Sequence, residues 1–201
     1  MDDDVPFSSF YTWLDLLYEH AVNGGAGLDS AQQLADIYLQ HFPDKVTSAS
    51  NLILWESTKA ATSGFITGLG GAITLPVSIP LNISSILFLQ FRMIAAVAII
   101  GGHSVNDPKT RNLIYLCLGG NIAKDILKEL CIWRVFSTLS ASSARHLQQQ
   151  VTTQLVTRLT TQFTGGITRF IPLIGGVISG GFDYLSTWAV GQLARTIFIS
   201  D

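Results

Sequence analysis

Between Lys59 and Arg92 the chain carries thirty-two consecutive residues without one charge. About 20 apolar residues suffice to cross a bilayer, so this run is either a membrane segment or the interior of a folded domain. Its own chemistry argues against a single clean span. Pro76 and Pro80 each remove a backbone donor and push the preceding residue out of the helical region. Ser78, Asn82, Ser84, Ser85 and Gln90 scatter polar groups along it. The prolines leave short pieces, residues 60–75 on one side and 81–90 on the other. Extending the second piece to Ile100 would bury Arg92, which costs about 2.5–3.5 kcal/mol at a membrane helix centre. No Lys/Arg-rich loop flanks the run to set an orientation.

The small residues fit either reading. Ala60, Gly64, Gly68 and Ala72 recur every four residues, with Gly71 beside them. A helix stripe without side chains lets another backbone approach closely, in membranes and in dense soluble cores alike. A second stripe, Gly176 and Gly180, follows Pro172 in "RFIPLIGGVISGGFDYLSTWAVGQLARTIF". The expectation is a single compact all-α domain whose core holds a glycine-rich, proline-broken apolar hairpin. A hairpin that dips into a bilayer stays open as the other reading.

The rest of the chain has helical spacing and no convincing strand alternation. Ser8 or Ser9 is expected to cap a first helix carrying Phe10, Trp13, Leu14, Leu17 and Val22, closed by Gly24-Gly25. Ser30 caps "AQQLADIYLQHF", which Pro43 ends, and Asp44 opens a third helix through Ile53, Leu54 and Trp55. "NISSILFLQFRMIAAVAII" is a helix with Asn82 or Ser84 near its start, ending at Gly101-Gly102. Asn106, Asp107 and Pro108 open the next. Leu147, Val151, Leu155, Leu159 and Phe163 mark an amphipathic Gln/Thr-rich helix over about residues 137–164. Residues 1–29 read as an amino-terminal helix and linker, and 30–201 as the main helical domain.

Charge narrows the partners. Charged residues are 13% of the chain, about half the usual share of roughly 25%. Lys plus Arg number 12 against 14 Asp plus Glu, which leaves no basic footprint for nucleic acid. Residues 130–201 hold five Arg and two Asp, a balance that suits anionic lipid or an acidic partner as well as an ordinary solvated surface. "MDDDVPFSSF" has the wrong charge for a signal peptide, so a cytoplasmic location is expected, peripheral to the inner membrane or dipping into it. Cys117 and Cys131 then read as buried thiols rather than a disulfide.

No motif names a reaction. His20, His41, His103 and His146 have no i, i+4 partner for a metal site. His20 and His41 fall near helix ends, and His103 lies in the turn "GGHSVNDP", where it reads as a satisfied turn residue rather than an acid–base residue beside Asp107. "GLGGA" lacks the strand and Gly-Lys-Ser/Thr ending of a phosphate loop. Asp125 and Glu129 alternate with Lys124 and Lys128 as ordinary helix ion pairs. The reading is no cofactor, no metal and no catalytic residue. Arg92 and Asp183 follow the two apolar segments directly; two readings stay open, a buried pair if those segments pack together and two side chains that reach solvent at helix ends.

"SGFITGLGGAITLPVSIPLNISSILFLQFRMIAAVAIIGGHS" with "DPKTRNLIYLCLGG" resembles the central signature of the EcsC family of bacterial proteins, and "RFIPLIGGVISGGFDYLSTWAVGQLARTIF" its carboxy-terminal one. The resemblance covers roughly residues 30–130 and 165–198, in the family's order, and does not extend to residues 1–25. It implies a basic residue at Arg92 and a polar or acidic one at Asp183, and carries no catalytic residues. The family is named after a protein encoded beside an ABC transporter. The resemblance therefore implies a membrane-associated or transport-linked accessory protein that binds lipid or a membrane protein. Two alternatives stay open, an immunity-type protein that neutralises a toxin protein and a soluble carrier of a hydrophobic ligand.

Overall fold

The computed structural model describes residues 5–25, 27–62, 81–118 and 175–199. Gly64, Gly68, Gly71, Pro76, Pro80 and Pro172 lie outside them, as do Cys131, His146, the charged stretch from Lys124 to Glu129 and the 137–164 helix. Within the described residues there are six helices and no strand. They are α1 (Val5–Asn23), α2 (Ala31–His41), α3 (Lys45–Ala61), α4 (Leu81–Gly101), α5 (Pro108–Leu118) and α6 (Gly175–Phe198). The all-α expectation holds.

Local chemistry sets most of the boundaries. Ser30 accepts from the Gln33 amide while the Gln33 side chain accepts from the Ser30 amide, a reciprocal cap at the start of α2. Asp44 caps α3 by accepting from the Thr47 amide at 2.8 Å. These hydrogen bonds hold the Asp44 carboxyl below its usual range. Asp107 accepts from Thr110 at the start of α5, with Pro108 at the first helical position. Gly102, at a φ of 97°, ends α4 in a conformation that favours glycine. The first helix begins earlier than expected, at Val5 rather than after Ser8 or Ser9.

The uncharged run is not one helix. Its first residues finish α3, whose end is marked by Thr62, and its last eleven open α4. Helix α4 touches all five other described helices. From Leu87 to Ala98 every side chain on it is buried, which is why its sequence is apolar all round rather than striped. Each large apolar residue sealed there, Phe88, Phe91, Met93 and Ile94 among them, contributes about 1.5–3 kcal/mol. Helix α1 belongs to this same core through Trp13, Leu14, Leu17 and Tyr18.

Specific contacts fix the directions of the three central helices. Gln90 meets Thr187, and Gly191 lies against Met93, so α6 runs parallel to α4. Gly191 also faces Ile53 and Arg195 bonds Ser50, so α3 runs antiparallel to α6. Two glycines allow the close approach. A Cβ on Gly191 would stand 2.6 Å from Ile53 Cγ2, and one on Gly101 would overlap the Phe198 carbonyl oxygen. Gly176 and Gly180 are within the first two turns of α6.

Candidate functional site

The most unusual chemistry sits where α3 crosses α4. On α3 the core stripe is Ala49, Leu52, Ile53, Glu56 and Ala60, so a carboxylate occupies an apolar position of the helical repeat. On α4 the mid-helix residue is Arg92. The Arg92 Nη2 donates to Glu56 Oε2 at 2.8 Å, and both side chains are sealed from water. Lys59 reaches the other carboxylate oxygen, Oε1, also at 2.8 Å, from a half-exposed position. Arg92 Nη1 donates a long 3.4 Å bond to the Asp29 carbonyl, and among the described residues its Nε has no acceptor.

The polar lane continues along the α4–α6 contact, where buried Gln90 donates to the Thr187 hydroxyl at 3.2 Å. Ser57 closes onto its own helix through the Ile53 carbonyl. Tyr38 lies close enough to Glu56 to feel it. Burial first, and the Glu56 charge second, push its hydroxyl up to about 12. The geometry is that of a salt-bridged helix crossing. A buried pair of this kind contributes little net stability, whereas removing one partner is strongly penalised.

A second charged cluster joins α1 to α5 at the surface. Arg111 bridges Glu19 at 2.8 Å and Asp15 at 3.3 Å, and its guanidinium lies 4.5 Å from the centre of the Tyr18 ring. The Tyr115 hydroxyl donates to Asp15 at 2.5 Å. Burial pushes the Tyr18 hydroxyl up to about 12, and burial with the Asp15 hydrogen bond pushes that of Tyr115 higher still. Tyr18, Phe91 and Tyr115 pack ring against ring beneath.

The residues singled out by the sequence take these places. Arg92 is buried, but its partner is Glu56 and no ion pair among the described residues joins it to Asp183. Asp183 is half-buried on α6, where desolvation raises its carboxyl. The reason is geometric, since the parallel register of α4 and α6 sets Thr187, not Asp183, level with Gln90. His20 and His41 each donate from Nδ1 to the carbonyl four residues back, Leu16 and Ile37, at the ends of their helices. His103 packs edge-on against Phe198, and the Asp107 carboxylate caps α5. Cys117 is a buried free thiol, pushed up by desolvation.

Large apolar side chains remain in water on several helices, Leu16 on α1 and Ile37 and Leu39 on α2 among them, and the two exposed tryptophans among the described residues lie on α3 and α6. Leu54 and Trp55 on α3 and Leu185 and Trp188 on α6 are all exposed.

This fold and crossing define a helical protein built around one buried apolar helix. The profile of the EcsC protein family matches residues 11–199, nearly the whole chain and including most of α1, and the chain belongs to that family. Neither a curated protein nor a solved structure matches it.

Proposed function

We propose that the chain is a non-enzymatic accessory protein of the bacterial envelope, associated with the membrane or linked to a transporter, and acting by binding lipid or a membrane protein. Membership of the EcsC family supports the reading. The observation that carries it is the exposure of Leu54, Trp55, Leu185 and Trp188 on the mutually packed helices α3 and α6. Tryptophan suits a boundary where one side is apolar and the other wet. Meanwhile the polar side chains of the interior, Glu56, Arg92, Gln90 and Thr187, bond one another.

The test is fractionation of the expressed protein followed by salt, carbonate and detergent extraction of the membrane pellet. The expected result is pelleted protein released by salt or carbonate. Replacing Trp55 and Trp188 by Ser should lower the pelleted fraction without unfolding the chain. Recovery entirely in the supernatant, with no membrane protein bound, would overturn the reading. Stoichiometric capture of a toxin would replace it by the immunity-type one.

A further inference from the structure

We propose that the Glu56–Arg92 pair is a retention device, holding the one membrane-length apolar helix of the described residues inside the protein. Residues Ser84–Gly101 of α4 are long and apolar enough to cross a bilayer, and 83% of that stretch is buried. Arg92 is the ninth of its eighteen residues and the only charge on α4. A mid-span arginine is at its most costly in lipid, with neither interface close. Its counter-ion belongs to a different helix. Helix α3 carries Lys45, Asn51 and Lys59 beside Glu56 and has no comparable apolar stretch, so α4 cannot take the carboxylate into a bilayer with it.

Both ends of such a transfer are therefore penalised. Arg92 would enter lipid alone, and Glu56 would be left in a space shaped for the pair. Within the fold, apolar residues of similar size would serve stability as well as the ion pair does. What the pair adds is a preference between two environments that are otherwise alike for an apolar helix. The pair thus restricts contact with a membrane to the protein's outer surface.

The inference takes its setting from the membrane-associated reading, but it fails separately from it. The experiment sediments the full-length chain with sucrose-loaded vesicles of phosphatidylcholine and phosphatidylglycerol, then washes them with carbonate. Parental protein that binds should wash off. The double variant E56L/R92M removes both charges. Loss of a mid-span arginine changes partition into lipid by on the order of 100-fold, so a large rise in the carbonate-resistant fraction is expected while the soluble protein keeps a parental Tm. The charge swap E56R/R92E should behave like the parent. R92Q, which keeps a polar side chain but no charge, is the second variant and should show a smaller rise. A double variant and R92Q that wash off like the parent would overturn the proposal, as would a parent already resistant to carbonate. A parent that never sediments counts against the membrane-associated reading alone, because the variants still decide the role of the pair.

Discussion

Two arginines grip carboxylates across helix contacts in this protein, under opposite conditions. Arg92 and Glu56 leave 2% and 0% of their side chains exposed, whereas Arg111, Asp15 and Glu19 leave 32%, 55% and 49%. The bond lengths are the same, 2.8 Å for the better contact in each case. Solvent makes the difference. At the α1–α5 surface water already satisfies each partner, so the pair is worth little and salt screens it. At the α3–α4 crossing no water replaces a lost partner, so the pair is nearly neutral when whole and costly when halved. Equal geometry therefore gives unequal consequences.

The contrast can be broken by substitution. Replacing Glu56 by Leu should cost about 3–5 kcal/mol in urea unfolding, because it leaves buried Arg92 without a counter-ion, and replacing Arg92 by Met should cost less, because Lys59 still holds the Glu56 carboxylate. Next in size is Gly101→Ala, whose Cβ must displace the Phe198 carbonyl rather than a flexible side chain. Overpacking of that kind costs about 1–3 kcal/mol, and the same urea titration reads it. Arg111→Ala should cost about 0.5–1 kcal/mol, mostly from the contact with Tyr18, and half-molar salt should shrink any part owed to Asp15 and Glu19. An Arg111 loss as large as that of Arg92 would erase the distinction drawn between the two sites.

The smallest effect concerns Asp183, which has no ion pair among the described residues. Its folded-state carboxyl is raised by desolvation, so the folded chain binds the proton more tightly than the unfolded one. Stability from this group is then greatest at pH values around and below the ordinary aspartate range and falls as pH rises through the raised value. Asp183→Asn should make the protein slightly more stable at pH 7 and leave it unchanged near pH 3, as thermal melts at the two pH values would record.

Much of the architecture was legible because it depends on local chemistry. Ser30 with Gln33, Asp44 before α3, Asp107-Pro108 before α5 and Gly101-Gly102 after α4 are signals carried by a few adjacent residues. The uncharged run is not a single helix, since α3 ends at Thr62, and the prolines on which the sequence reading rests lie outside the described residues. Partner choice was harder to see, because it depends on register between helices distant in sequence. Arg92 and Asp183 were paired on their similar positions after two apolar segments, yet α6 lies parallel to α4 and brings Thr187 to Gln90. Glu56 is masked in the sequence by Lys59, three residues on, which is an ordinary helix partner for it and does make that bond. The signal was its place on the stripe of Ala49, Leu52, Ile53 and Ala60. A carboxylate at a core position of a helix asks for a buried cation, and Arg92 supplies it.

The central claim is that Glu56 and Arg92 act as one unit within the core. A double-mutant cycle tests it most directly, with unfolding free energies measured for the parent, E56L, R92M and E56L/R92M. The expected result is a loss of about 3–5 kcal/mol in E56L, a smaller loss in R92M, where Lys59 still pairs with Glu56, and a double variant within about 1 kcal/mol of the parent, since the second substitution removes the charge that E56L strands. Losses that simply add would contradict it, for they would mean that the two groups are satisfied independently.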